Sequence, residues 1–319
     1  MLNIALGTIN IPLREVVEIL FGKETYPESL IIIINKSRLP QALTAILAGA
    51  GLAVSGLQMQ TLFRNPLADP AILGVSSGAG LGVALVLMLG SLGGIIMSAQ
   101  GFFGYLTVTG AALCGALTVL FIILFLSKYL LNNAMLLISG IMIGYIASSL
   151  ISILKFYGMK DDVHSFVIWG LGSFSSVSWI KMQIFCPSIL LGLFCSFLLI
   201  KHLNILLLGE NYAKNLGINI KQARFFILLV TGFLTAAITA FCGPVAFLGL
   251  AVPHITRGIF KTSNHRILMP AVMLSGATLA LLCNFIAKLP GFDGALPINA
   301  ITGIIGAPIV IWVIVKKNR

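Results

Sequence analysis

Residues 134–154 read AMLLISGIMIGYIASSLISIL, and no charged side chain interrupts them. Roughly 20 apolar residues are what an α-helix needs to cross the hydrocarbon core of a bilayer. Polar residues bracket the run, with Asn132-Asn133 before it and Lys155 after it. Runs of the same kind, separated by turn signals, lie near 41–62, 70–90, 102–127, 183–206, 225–242, 244–256, 267–287 and 298–315. The chain therefore reads as an all-α polytopic membrane protein with about nine transmembrane helices. The run at 244–256 is short and bracketed by Pro244 and Pro253, so a broken or tilted helix held inside the bundle is expected there.

Composition agrees. Of 319 residues 58% are hydrophobic and only 9% are charged, with a mean hydropathy of +1.06. A soluble domain carries about 25% charged residues, so a soluble enzyme, a nucleic-acid-binding protein and a disordered chain are excluded. A β-barrel would show alternation in place of long apolar runs. Glycines are numerous, at 33, and often closely spaced, as at Gly49, Gly51 and Gly56. Small residues let helix backbones approach. No polar linker divides the chain, so 1–319 is read as one domain.

Basic residues concentrate in one set of loops, with Arg64, Lys128, Lys214, Arg257 and Arg266 among them. By the positive-inside rule those loops and the C-terminus are cytoplasmic. Residues 1–40 then form an extracytoplasmic segment, and with an odd number of spans either this N-terminal tail crosses unaided or, as we expect, a first span is encoded upstream of Met1.

No catalytic set is legible. Gly74-Val75-Ser76-Ser77-Gly78 has the GxSxG spacing of a nucleophile elbow, but it opens an apolar helix and lacks the strand and triad partners the motif needs. There is no HExxH, no P-loop GxxxxGK[ST] and no acid within the spans. Neither intramembrane proteolysis, nor ATP hydrolysis by this chain, nor ion coupling has residues to use. The five cysteines sit in apolar stretches without CxxC spacing and read as small buried hydrophobes, so no metal site and no cofactor are expected. His254, like the other histidines, reads as a hydrogen-bonded structural residue.

The loop 209–224 is the most informative inner segment. From Leu208 to Ile218 it reads as a short helix closed by Gly217, with Ala213 and Leu216 on one face. Such a face suits docking to a partner; a helix lying on the membrane is the other reading.

Three segments together resemble the permease family that imports ferric siderophores, haem and vitamin B12 under ATP-binding-cassette power, the FecCD/BtuC-like permeases. The first holds Arg38-Leu39-Pro40-Gln41, the run Gly49 to Gly56, Gln60, Arg64-Asn65-Pro66-Leu67-Ala68-Asp69-Pro70 and Leu73 to Ala79. The second is Gly209-Glu210 with Ala213 and Leu216-Gly217. The third is Gly243 to Leu250, Pro253-His254-Ile255 and Arg257, closing with Leu296-Pro297 and Gly306-Ala307-Pro308.

The resemblance implies a type II importer permease of about ten spans per subunit. It implies a homodimer in a bacterial inner (cytoplasmic) membrane, two copies of a cytoplasmic ATPase and an extracytoplasmic substrate-binding protein. Glu210, Ala213, Leu216 and Gly217 match the helix that couples to the ATPase. Asn65 and Leu67, with Asn132 and Asn133, match loops that close the pathway at its cytoplasmic end. Arg38, with Lys288, matches the outer surface where the binding protein docks. Two departures stand out: Gln41 where the family usually has a second Arg, and Asn284 to Lys288 where it shows Asp-x-x-Ala-Arg. Residues 2–22 resemble the stretch after the family's first span. The expected cargo is an iron chelate, a ferric siderophore first, with haem or cobalamin as the alternative.

Overall fold

The computed structural model describes residues 2–5, 11–23, 26–92, 102–130, 132–217, 219–288 and 296–317, and no strand occurs among them. Two short helices, α1 (Leu2–Ala5) and α2 (Leu13–Leu20), precede a continuous helical stretch: α3 (Glu28–Ile32), a π-helical turn (Ile33–Arg38) and α4 (Leu39–Leu62). A 3₁₀ turn at Pro70–Leu73 leads into α5 (Val75–Leu92), followed by α6 (Phe102–Tyr129), α7 (Asn133–Tyr157) and α8 (Lys160–Gly170). Then come α9 (Trp179–Leu198), α10 (Ile200–Leu207), α11 (Glu210–Asn215) and α12 (Ile220–Cys242). The chain closes with α13 (Leu248–Phe260), α14 (His265–Ile286) and α15 (Ile298–Lys317).

Every apolar run read from the sequence falls on a helix. Six helices among the described residues are long and apolar enough to cross a membrane. The first expected span starts earlier than 41, because the helix is unbroken from Glu28. The run 183–206 divides into α9 and α10, and the polar stretch before it holds α8.

Burial orders the bundle. α4 and α12 are covered nearly all round, whereas α7 leaves Tyr145, Ile146 and Phe156 exposed. A helix that is apolar on every side belongs in an interior, and small residues let α4 be packed from several directions. Gly49 meets Gly276 and Ala280 of α14, while Gly56 lies directly against the Gly249 carbonyl of α13.

The short seventh span corrects one expectation. Pro253 lies inside α13 and does not bracket it; the helix starts only at Leu248 and runs on to Phe260. Pro253 has no N–H to offer the carbonyl four residues back, and that carbonyl is Gly249's, the one facing Gly56. The irregular stretch before α13 turns through positive φ at Gly243 (74°) and Phe247 (67°). Non-helical backbone at membrane depth needs partners inside the protein. Asn299 supplies one, its Oδ1 accepting the Ala246 N–H at 2.9 Å, and its Nδ2 ties this stretch to the end of α8 by donating to the Gly170 carbonyl at 3.3 Å.

A side chain at residue 56 has no room. We expect Gly56→Val to force α4 and α13 apart and to cost at least the 1–3 kcal/mol typical of overpacking. A clear drop in the thermal midpoint in detergent is the readout. Gly110→Ala, where a Cβ meets nothing within 4 Å, is the matched control and should leave that midpoint unchanged.

Candidate functional site

The residues singled out from the sequence collect at the two ends of α4. At one end Arg38 is only 6% exposed. Its Nη1 donates to the carbonyls of Ile4 at 2.6 Å and Ala5 at 2.9 Å, which clamps α1 over the start of the long helix. Gln41 Nε2 donates to Asn284 Oδ1 at 3.0 Å, and Asn284 Nδ2 donates to Asn3 Oδ1 at 2.6 Å. Gln41 and Asn284 thus form one feature: a neutral amide pair bridges α4 and α14 where the family pattern calls for an arginine and an aspartate. Exchanging both partners keeps the bond and leaves no buried charge unpaired.

Arg38 thus lies beneath α1 and not on the open outer surface. The guanidinium is spent on backbone carbonyls within the chain. Lys288 lies close by, and its Nζ is also buried. Burial first, and then the Arg38 charge, pull the lysine down to about 8.

At the other end of α4 the chain turns at Arg64, a non-glycine residue with φ +48°. Arg64 Nη2 donates to the Leu206 carbonyl at the end of α10, at 3.1 Å. The same nitrogen lies so close to Gly209 that a Cβ there would come within 2.9 Å of it. Gly209 has φ +116°, so glycine is required both for the turn and for the arginine's approach. One side chain therefore joins the loop after α4 to the segment that opens α11.

That loop is held from several sides. The Leu67 N–H donates to Asn65 Oδ1 at 2.9 Å, closing an Asx turn that leaves Leu67 exposed. The Pro66 carbonyl is 2.7 Å from His254 Nε2 in α13, and a carbonyl can only accept, so Nε2 carries the proton. Arg257 Nη1 donates to Gln60 Oε1 at 2.8 Å, and Gln60 Nε2 donates to the Leu250 carbonyl at 3.2 Å. Asn133 Nδ2 donates to the Leu62 carbonyl at 3.2 Å, and Asn132 caps α7 by accepting the Ala134 N–H at 2.8 Å. The structure thus brings Asn65, Leu67, Asn132 and Asn133 to one place, around the last turn of α4.

Asp69 closes this loop. Its Oδ1 accepts the Ala71 N–H at 2.8 Å, and its Oδ2 lies against Gly249 at the start of α13. Burial raises its carboxyl to about 6, against the pull of the Ala71 N–H. The folded state then holds a proton that the unfolded state has released between about pH 4 and 6. Asp69→Asn keeps the acceptor and removes the buried charge. We expect it to raise the thermal midpoint at pH 8, where Asp69 is ionised, and to change little at pH 4, where it is protonated; melts at the two values check this.

α11 forms as expected and closes at Gly217, whose φ is +79° and whose N–H bonds the Lys214 carbonyl at 2.9 Å. Its face needs correcting. Ala213 is fully buried against its own chain, whereas Leu216 is 55% exposed and Tyr212, four residues earlier, is 59% exposed. The outward face is therefore Tyr212 with Leu216, and Ala213 is the anchor that seats α11. The Glu210 side chain lies outside what the structure describes.

Two residues here carry more than sequence reasoning assigned them. Arg64 stood in a quoted motif without a role, and His254 was read as a structural histidine, which its bond to Pro66 supports. The signal for Arg64 was its isolation, since in sequence Asp69 and Glu210 are the acids of the inner loops.

A family model described as the FecCD transport family matches residues 1–316. A curated relative from Salmonella arizonae, named vitamin B12 import system permease protein BtuC, is 35% identical over 88% of this chain and 82% of its own length. A solved structure described as an inward-facing conformation of a metal-chelate type ABC transporter superposes with a TM-score of 0.80, at 32% identity, over 94% of both chains. PsaBC from Streptococcus pneumoniae shares the fold, with a TM-score of 0.54 at 16% identity, over 93% of this chain and 94% of that one.

Proposed function

This chain belongs to the FecCD transport family and is a multi-pass permease of the ATP-binding-cassette importer class, and we propose that it moves a bulky metal chelate inward, driven by an ATPase that docks on α11. The observation that carries the reading is the Arg64 bridge. A push on α11 displaces Gly209 and Leu206, and through Arg64 the loop holding Asn65 and Leu67. Asn132 and Asn133 face the same opening from α7. Energy and gate thus meet at one guanidinium.

In this reading two copies of the permease pair in a bacterial inner membrane with their C-termini in the cytoplasm. Two ATPase subunits bind at α11, and an extracytoplasmic binding protein delivers cargo at the Arg38 end. Lys288 and the surface around α1 are the docking candidates there, with Arg38 acting from beneath by holding α1 in place. The permease carries no ATP site of its own.

For cargo, relatives named as vitamin B12 permeases put cobalamin first. A ferric siderophore, favoured by sequence resemblance, is the second reading, and the metal-chelate description of the solved structure keeps it open. Uptake into proteoliposomes holding the permease, its ATPase and its binding protein decides between them. ATP-dependent accumulation of cobalamin and not of ferric hydroxamates supports the first reading; the reverse selects the second.

A further inference from the structure

Beside the Arg64 bridge, where α4, α10, α13 and α15 all approach their ends, a pocket of about 830 Å³ opens. Arg64, Arg257, Gln60 and Ser263 line its polar part, while Leu208 and Trp312 frame its mouth. Leu208 is 62% and Trp312 61% exposed. Among the described residues the ion pairs are Arg14–Glu18 and Lys23–Glu18, both in the N-terminal segment. No described carboxylate pairs with Arg64 or Arg257. Each guanidinium has five N–H groups, and the bonds to Leu206 and Gln60 take one nitrogen from each.

Two arginines with no carboxylate partner among the described residues, beside a hydroxyl, make a receptor for an oxyanion. Planar guanidinium groups match phosphate oxygens. The mouth says which source supplies the phosphate. Trp312 stands in the last turns of the apolar helix α15 and Leu208 just past the end of α10, and tryptophan prefers the level of lipid headgroups. A soluble anion gains nothing from that apolar frame, whereas a lipid lays its acyl chains along it.

We propose that this pocket binds the phosphodiester headgroup of an anionic membrane lipid of the phosphatidylglycerol type. The proposal rests on the importer reading only for which leaflet it faces: the inner leaflet presents anionic headgroups to basic side chains. A lipid seated there touches Arg64 and so braces the bridge between α10 and the gating loop.

The test uses Trp312 as reporter, in the full permease without ATPase. Trp169→Phe and Trp179→Phe leave Trp312 as the single tryptophan. Quenching by brominated phosphatidylglycerol should exceed quenching by brominated phosphatidylcholine, with an apparent preference of about thirtyfold for the two arginines together. Arg64→Gln with Arg257→Gln should abolish the preference, and Arg64→Lys with Arg257→Lys should keep part of it. Native mass spectrometry of the unaltered protein, reading retained phosphatidylglycerol against phosphatidylcholine, gives the same comparison without any substitution. Equal quenching and equal retention of the two lipids would overturn the proposal. So would displacement of the phosphatidylglycerol signal by millimolar inorganic phosphate, which assigns the pocket to a soluble anion. Displacement by added ATPase subunit at constant lipid would also overturn it, assigning the arginines to a protein carboxylate. Because no arm reads transport, a negative result leaves the importer reading standing.

Discussion

Leu216→Asp is expected to yield a permease that inserts and folds normally but no longer holds its ATPase. Leu216 is more than half exposed and contributes little to the bundle, so the substitution costs the isolated chain almost nothing. In the complex it would place a carboxylate in a groove built for an apolar side chain. Burying a charge without a partner costs about 3–5 kcal/mol, which weakens association by a factor of roughly 10² to 4 × 10³. Co-purification of the ATPase should fail, and substrate uptake should fall to background. Ala213→Trp separates the two roles of α11. Ala213 is fully buried, so this change should destabilise the permease itself, visible in a thermal melt before any partner is added.

Arg64→Gly has the second large effect, of a different kind. Glycine tolerates the φ of +48° at this position, so the backbone turn survives while the guanidinium is lost. The bond to the Leu206 carbonyl goes with it, a charge-assisted hydrogen bond worth about 1.5–3 kcal/mol. The ATPase should still bind, since the Tyr212–Leu216 face is untouched, and ATP should still be hydrolysed. Uptake per ATP should fall about tenfold or more if that bond carries the push. Coupled uptake at the unaltered ratio would remove Arg64 from the path.

Much of this was legible in the chain. Apolar runs such as 134–154 announce their helices because a bilayer demands length and lack of charge, and both can be read locally. The close approach of α4 could be anticipated from Gly49 and Gly56, since nothing but a neighbouring backbone needs two small residues a helical repeat apart. What remained hidden depends on distant partners. Arg38 looks like an exposed outer arginine until α1, more than thirty residues earlier, covers it with two carbonyls. Gln41 and Asn284 look like two unrelated departures because 243 residues separate them; only the fold shows that they are hydrogen-bonded partners.

Local ambiguity hid the rest. In a helix of six residues, Ala213 and Leu216 are close enough to share a face by spacing alone, and only the packing of α11 against α10 and α12 shows which points inward. Pro253 reads as a helix boundary by its usual habit. Inside α13 it frees the Gly249 carbonyl instead, at the point where Gly56 of α4 makes its contact.

We infer that work enters through the outward face of α11. A photoreactive phenylalanine analogue placed at Tyr212, in membranes holding the assembled importer, tests it most directly. Phe156, 81% exposed at the opposite end of the bundle, is the control position. We expect a crosslinked adduct of permease and ATPase from position 212 and none from position 156. Crosslinks from position 212 to lipid alone, with the ATPase present and active, would contradict it.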